Sequence, residues 1–331
     1  MKKRLATMLA GASIAALALT GCGGGSPSGA ASTEAPKSGE AGGLTKVVVG
    51  ILPIAPSVAM QYGVDKKIFE KHGLDIELTT ASAGAAMLPA VSTGDLNFAV
   101  GNPLSVITAV DKGLDMKIVT GYSNSKATGD DINGVVVRAD SGINTFADLA
   151  GKTTSVNALK TQGDLTIMES AAIDGGDPKA LKFSEMPFPD MEAQLDRKNM
   201  DAIWVPEPFL SKALAVPENK LLGYPNQKAI PGLPTMVSFT SGKFAQESPD
   251  VVAKFQAAMA ETLDAAESDQ AGAKALLPTF MKMDAKVAEN LKMETWDAVV
   301  PSEQLDKLGA LAAKFEFISK TPDIAALTIK K

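Results

Sequence analysis

Two stretches of the chain, about a hundred residues apart, share one pattern: STGDLNFAVGNP at 92–103 and KNMDAIWVPEP at 198–208. In each stretch a polar turn leads to a short apolar run and then to a proline. The apolar run predicts a buried strand, and the proline predicts a helix start, where a missing N–H is tolerated. Open α/β sheets bind ligands at such strand-to-helix turns. The pair therefore predicts two α/β lobes that face one cleft.

Strand and helix patterns alternate on both sides of these turns. Apolar, β-branched runs predict strands at 46–51, 75–79, 97–100, 117–120, 134–138, 153–157 and 202–205. Helical patterns separate them, which favours mostly parallel sheets covered on both faces. Residues 122–131 are predicted to be a polar loop, and 229–240 is rich in proline and glycine. Beyond 240 the pattern predicts helices only, and we expect them to cover one lobe.

The N-terminal segment has the features of an export signal. A basic start precedes an apolar run that ends in Leu19-Thr20-Gly21-Cys22. We predict a cleaved signal peptide at 1–21 and a flexible Gly/Ser tether at 22–43. Small residues before Cys22 resemble the lipobox of bacterial lipoproteins, so we expect Cys22 to carry a lipid anchor. The protein is then exported and held at the outer face of the cell membrane, in the periplasm or cell envelope.

Composition excludes several classes of function. Loss of Lys2, Lys3 and Arg4 with the signal peptide changes the formal net charge from −6 to −9, which makes nucleic acid an improbable partner. Cys22 is the single cysteine and His72 the single histidine. Disulfides, Cys/His zinc sites and catalytic triads with a second histidine are therefore excluded. We expect no metal, no cofactor and no enzymatic activity.

Four segments resemble the solute-binding proteins of ABC importers, in the subgroup associated with nitrate, sulfonates, taurine and the thiamine pyrimidine precursor. They are KIFEKHGLDIEL at 67–78, AVSTGDLNF at 90–98, INTFADLAGK at 143–152 and DAIWVPEP at 201–208. Each segment alone is weak evidence for the resemblance, but all four occur in the family's order. The chain departs from the family at Pro206, where an aromatic residue is common.

The resemblance implies a periplasmic-binding-protein type II fold, with two α/β lobes and extra C-terminal helices on lobe one. Lobe one is expected to comprise 44–126 plus 237–331, and lobe two 127–236. The lobes would close on a small-molecule ligand, and the closed monomer would deliver it to the transmembrane subunits of an ABC permease.

Candidate ligand-binding residues follow from the strand-to-helix turns, where free backbone N–H groups and polar side chains meet. They are Ser57, Gly84, Asn102, Asn157, Thr161, Gln162, Trp204 and Glu207. Each has a structural alternative. Ser57 and Asn102 could cap helices, Gly84 could serve backbone conformation, Trp204 could belong to the core, and Glu207 could favour a helix dipole.

Elimination leaves the ligand's chemistry open. The two arginines of the mature chain are poorly placed to clamp a carboxylate, and aromatic platforms for sugars are scarce. A sulfonate-like anion held by N–H groups and a pyrimidine-like heterocycle paired with Glu207 both remain. Two other functions are compatible with the fold: a binding module for a membrane sensor, and an envelope-anchored enzyme related to pyrimidine synthases. The latter is expected to need an iron site rich in His and Cys.

Overall fold

The computed structural model describes residues 43–330, so the predicted signal peptide and the lipidation site at Cys22 lie outside the described residues. The strands of this part are, in chain order, β1 (Thr45–Ile51), β2 (Leu74–Thr80), β3 (Phe98–Gly101), β4 (Met116–Asn124), β5 (Gly134–Arg138), β6 (Thr153–Val156), β7 (Lys182–Glu185), β8 (Ala202–Val205), β9 (Asn219–Gly223), β10 (Pro234–Ser241) and β11 (Thr295–Trp296).

The helices cover both faces of the strands. They are α1 (Val58–Asp65), α2 (Ile68–Lys71), α3 (Gly84–Thr93), α4 (Pro103–Asp111), α5 (Gln162–Ile173), α6 (Phe188–Asp196), α7 (Phe209–Leu214), α8 (Pro225–Ala229), α9 (Gly242–Glu247), α10 (Pro249–Ser268), α11 (Gln270–Lys274), α12 (Leu277–Met281), α13 (Ala285–Asn290), α14 (Ser302–Lys314) and α15 (Ile324–Leu327). Within 43–330, no helix is both long and apolar enough to cross a bilayer.

The strands form two separate sheets, each the centre of one lobe. Lobe one contains the order β11-β4-β10-β3-β1-β2, and lobe two the order β7-β6-β8-β5-β9. Both sheets are mixed. Strands β1 to β4 share one direction while β10 and β11 oppose it, and β5 opposes the other four strands of lobe two. This is the two-lobed α/β fold that the alternating pattern predicts.

The strands that oppose their neighbours mark the places where the chain changes lobe. The chain leaves β4 and enters lobe two through β5, and it leaves α8 and enters lobe one through β10. The two crossing segments touch, because the Ser125 N–H donates to the Leu233 carbonyl at 2.8 Å. The lobe boundaries at 126/127 and 236/237 stay a prediction, although β10 pairs with lobe one from Pro234 onward.

The structure corrects four secondary-structure expectations. The proline- and glycine-rich segment ends in β10, whose residues are all buried between β3 and β4. Strand β11 interrupts the C-terminal helices, and the short strands β7 and β9 lie where the sequence pattern gave none. Tyr122 belongs to β4 rather than to a loop, and its hydroxyl donates to the Pro56 carbonyl at 3.0 Å. These strands owe their stability to neighbours distant in sequence, which local patterns cannot display.

The long helix α10 packs on lobe one. Phe255 of α10 stacks on Phe98 of β3, with ring centroids 3.9 Å apart and planes inclined by 4°. Both rings are fully buried. Burial of aromatic side chains of this size contributes several kilocalories per mole to folding. Helix α10 therefore contributes to the core of lobe one.

Candidate functional site

A cavity lies between the two lobes, beside the crossing segments. Its lining combines apolar side chains, amides and one acid: Leu52, Ile54, Pro56, Asn102, Ile132, Asn133, Asn157, Gln162, Phe188, Trp204, Pro206, Asn226, Thr235, Met236 and Glu294. Its free volume is about 40 Å³, enough for a few water molecules. A cavity this small, lined from both sides, is that of a cleft whose lobes are in contact.

Direct contacts hold the lobes together around this cavity. The Asn157 side chain donates to the Ser82 carbonyl at 3.3 Å, and the Gln162 side chain donates to the Pro234 carbonyl at 3.3 Å. The Ala55 N–H donates to the Glu207 carbonyl at 3.1 Å. Each bond joins an element of one lobe to an element of the other or to a crossing segment.

Four of the sequence-predicted residues line the cavity: Asn102, Asn157, Gln162 and Trp204. Asn102 follows β3 and also caps α4, since its Oδ1 accepts the Ser105 N–H at 2.9 Å. Asn157 follows β6, and Gln162 is the first residue of α5. The strand-to-helix turns therefore contribute to the cavity from both lobes. Their role in ligand binding stays a prediction.

Trp204 lies in β8 and belongs both to the core and to the cavity wall. The residue is 7% exposed, and its ring centroid is 6.0 Å from that of Phe188, with the ring planes inclined by 53°. Its indole N–H is buried without a hydrogen-bond partner. Pro206 stands in the wall where the resemblance leads one to expect an aromatic residue, and Phe188 supplies an aromatic surface nearby.

The other four predicted residues lie outside the lining. Ser57 is fully buried without a side-chain hydrogen bond. Gly84 faces the β3–α4 turn so closely that an added Cβ would lie 3.0 Å from the Gly101 Cα atom. Thr161 begins α5 with a capping box, in which its backbone N–H donates to Asp164 at 2.8 Å. Gly84 therefore serves close backbone packing and Thr161 a helix start, whereas the Ser57 hydroxyl makes no capping bond.

Glu207 turns away from the cavity toward its own helix. Its carboxylate accepts the Ser211 N–H at 3.0 Å and the Ser211 hydroxyl at 2.7 Å. Burial raises the pKa of Glu207, and the two bonds from Ser211 oppose that rise. The carboxylate therefore satisfies the start of α7, which is the structural alternative that the sequence left open.

Several lining residues carry no sequence signal that marks them as ligand contacts. Asn133 and Thr235 lie at the two crossings, and Asn226 lies in α8 after a proline. The Asn226 Oδ1 accepts the Thr166 hydroxyl at 3.1 Å, while its Nδ2 is buried without a partner. The lobe crossings could have indicated Asn133 and Thr235, because the segments that border a hinge also face the cleft.

Glu294 is the least expected member of the lining. It precedes β11 in a stretch that the sequence pattern assigned to helices, and it is 1% exposed. Its Oε1 accepts the Asn133 side-chain N–H at 2.8 Å, and its Oε2 lies 2.6 Å from the Thr235 hydroxyl. Burial raises the pKa of Glu294 to about 8, and the nearby charge of Asp131 adds to that rise.

Asp131 is the second buried acid beside the crossing. It is fully buried, and it accepts the Ile132 N–H at 2.9 Å and the hydroxyl of Ser125. Burial raises its pKa as well. Two carboxyl groups that share one buried region disfavour simultaneous ionisation, because like charges repel strongly in a low dielectric. The described residues contain no group of three or more His, Cys, Asp or Glu residues that could hold a metal ion.

Two lobes, two chain crossings and a polar cavity between them define a two-lobed α/β fold with an interlobe cavity. The sequence model of the family described as "NMT1/THI5 like" matches residues 58–273, well over half of the chain. The chain belongs to this family. A comparison with curated proteins gives no match.

Solved structures share the fold over nearly all of the described part. The periplasmic aliphatic sulphonate binding protein SsuA from Escherichia coli is 18% identical with a TM-score of 0.68, and the match covers 86% of this chain and 97% of that one. The alkanesulfonate-binding protein SsuA from Xanthomonas axonopodis pv. citri, bound to MOPS, is 16% identical with a TM-score of 0.72, covering 87% and 99%. The periplasmic nitrate-binding protein NrtA from Synechocystis PCC 6803 is 13% identical with a TM-score of 0.68, covering 86% of each chain.

Proposed function

We propose that the protein is the extracytoplasmic solute-binding component of an ABC importer. It captures a small organic solute in the cavity between its lobes and delivers it to a membrane permease. The observation that carries the proposal is that three side chains of the lining each hold a polar atom buried without a partner: Gln162 Oε1, Trp204 Nε1 and Asn226 Nδ2. An unpaired buried polar group costs about 1–3 kcal/mol, and a polar ligand would recover that cost.

The lobe contacts support closure as the mechanism of capture. The bonds from Asn157 and Gln162 to backbone carbonyls across the cavity are both long, at 3.3 Å. A ligand that bridges the lobes adds contacts that exist in the closed form alone. It therefore shifts the equilibrium toward that form. The hinge lies at the two crossings, where Ser125 bonds Leu233.

The closed form is the state that a permease must recognise, because both lobes then present one continuous surface. We propose that the protein acts as a monomer, tethered through 22–43 and anchored by a lipid on Cys22. Lobe one, comprising 44–126 and 237–331, and lobe two, comprising 127–236, move as units about the crossings. The fold that the chain shares with sulfonate- and nitrate-binding proteins supports the two-lobed arrangement, and the sequence around Cys22 supports the lipid anchor.

Two ligand classes follow from the site and its relatives. The named relatives bind sulfonates or nitrate, so an anion held by backbone N–H groups is one class. A nitrogen heterocycle of the pyrimidine type, placed against Trp204, is the other. Of the residues predicted from sequence, Asn102, Asn157, Gln162 and Trp204 are the proposed contacts, because they line the cavity.

Thermal unfolding of the purified chain against a ligand panel tests this proposal. The panel contains alkanesulfonates, taurine, nitrate, aminopyrimidines, amino acids and sugars. A ligand at about a hundred times its Kd adds roughly 2.7 kcal/mol of stability, which is a shift of a few degrees for a protein of this size. Small-angle scattering then measures closure as a reduced radius of gyration. A panel with no stabilising ligand, together with no change in scattering, would contradict the proposal.

A further inference from the structure

We propose that Glu294 is a specificity-determining residue of the cavity and selects nitrogen bases, which present N–H donors or a positive charge, over sulfonates and nitrate. The inference rests on the proposed function, since it names the class of solute that the same cavity takes. Glu294 lies outside residues 58–273, the part that the family's sequence model matches. It is therefore a feature of this chain that family membership does not assign.

The charge of the lining is the first observation. Among the described residues that line the cavity, Glu294 is the one ionisable side chain, and no lysine, arginine or histidine accompanies it. The remaining polar side chains are five amides, one hydroxyl and the Trp204 indole. An anion would enter without a cationic side chain to neutralise it and would meet an acid. Burial of an unpaired anion is costly, whereas a buried cation beside a carboxylate is compensated.

The hydrogen-bond pattern is the second observation. The Thr235 hydroxyl lies 3.0 Å from the Ser123 carbonyl and 2.6 Å from Glu294 Oε2, yet it has one proton to donate. When that proton goes to the carbonyl, the contact with Oε2 requires a proton on Glu294. The other oxygen, Oε1, accepts from Asn133 and keeps a second lone pair. The network thus accommodates a neutral acid that can accept from a ligand.

The unpaired atoms of the lining are the third observation. Gln162 Oε1 is a free acceptor, whereas Trp204 Nε1 and Asn226 Nδ2 are free donors. Together with Glu294, they complement a ligand that both donates and accepts hydrogen bonds. A nitrogen base supplies N–H donors to Gln162 Oε1 and Glu294 in its cationic form, and its neutral form also offers a lone pair to the two donors. A sulfonate or nitrate ion has acceptors alone, so Gln162 Oε1 would stay unpaired beside it.

Binding of a cation at this site is accompanied by ionisation of Glu294. Its O–H bond breaks, the proton passes to solvent, and the carboxylate that remains accepts the ligand's N–H group. Burial and the charge of Asp131, the ionisable neighbour that adds to it, raise the pKa of Glu294 to about 8, so the free protein holds this proton near neutral pH. Calorimetry in two buffers of different ionisation enthalpy detects the released proton directly.

Two matched ligand pairs test the proposal: benzamidine against benzenesulfonate, and methylguanidine against methanesulfonate. The members of each pair share a frame and differ in the sign of their charge. We expect the full-length chain to bind at least one of the cations, with proton release, and to bind the matching sulfonate at least tenfold more weakly. In Glu294→Gln, affinity for the cation should fall by about tenfold to a hundredfold, as for a lost charge-assisted bond, and the proton release should vanish.

Glu267→Gln is the matched control. Glu267 also lies in lobe one and accepts the Trp296 N–H of β11 at 2.8 Å, but it lies outside the cavity lining. The same substitution there should leave the preference between cation and sulfonate unchanged. A purely structural role for Glu294 would alter the affinities for both charges together and leave their ratio unchanged.

The outcomes separate this inference from the proposed function. Binding of a sulfonate or nitrate at least as tightly as the cations would overturn the inference while the binding role stands. An unchanged preference in Glu294→Gln would overturn it in the same way. Failure of every cation and every anion to bind, with no compaction in scattering, would overturn the proposed function and the inference together.

Discussion

The 206–211 turn of lobe two and the 292–296 segment of lobe one each bury a glutamate, and they use it in opposite ways. Glu207 bonds the backbone and hydroxyl of Ser211, four residues along the same turn. Glu294 bonds Asn133, 161 residues away and across the crossing. Burial raises the pKa of both acids. A buried acid in a recognisable motif can thus bond its own helix, while an acid that no motif marks lines the cavity.

The largest expected difference between the two acids is in the pH dependence of stability. The folded protein holds the proton of Glu294 up to about pH 8, whereas the unfolded chain loses it near the ordinary glutamate pKa. Because the folded state binds more protons between these values, the free energy of unfolding falls as pH rises through this window. Relative to Glu294→Gln, the wild type should lose about 3 kcal/mol between pH 5 and pH 8.

Chemical denaturation of both proteins at several pH values measures this loss. Asp131, whose pKa burial also raises, is coupled to Glu294, so the difference reports the ionisation of Glu294 together with that coupling. Parallel curves for wild type and variant would mean that Glu294 ionises freely in the folded protein.

A smaller effect is expected at the other acid, through its bonds to the helix. Glu207→Ala removes both acceptors of Ser211 at the start of α7, and the loss of such a cap costs about 1 kcal/mol. Ser211→Ala removes the hydroxyl bond alone and should cost less. Urea unfolding at one pH compares the two variants. Equal stability of Glu207→Ala and wild type would contradict the difference proposed between the two acids. The Glu207 carboxylate would then not stabilise the start of α7.

The smallest effect is expected at Lys292, two residues before Glu294. Its ammonium group pairs with Asp130 on the surface and lowers the pKa of that aspartate. Exposed ion pairs contribute little, since water and salt screen them. Lys292→Ala should therefore leave the thermal midpoint at physiological salt unchanged within error. A clear drop would show that the segment depends on its surface charge as well as on its buried acid.

Much of the fold was predictable because its signals are local. The strand at 46–51, the prolines that open helices and the capping residue Asn102 all act within a few positions of the chain. Strand β10 was missed because prolines and glycines precede it and because its burial comes from β3 and β4 on either side. Tyr122 was assigned to a loop for a similar reason. Its hydroxyl donates to the carbonyl of Pro56, which lies 66 residues away in the sequence.

The residues of the candidate site also differ in whether local sequence signals could predict their positions. The sequence places Asn102, Asn157, Gln162 and Trp204 near the cleft because strand-to-helix turns of α/β sheets meet there, and these four residues line the cavity; their role as ligand contacts stays a prediction. The orientation of Glu207 was not predictable, since a residue before a helix can face either its own N–H groups or the cleft. Sequence position alone does not choose between the two.

The sequence by itself determined that the chain has two α/β lobes and that four of its segments resemble one known family, and its single histidine and single cysteine argue against sites rich in His and Cys. Hydrophobic periodicity and helix caps are local properties of the sequence, and residue counts are global ones. All of them can be read without a structure. The tertiary structure decided which side chains share the cavity. Asn133, Thr235 and Glu294 come from both crossings and from the C-terminal segment, and they meet because the fold brings these distant parts of the chain together.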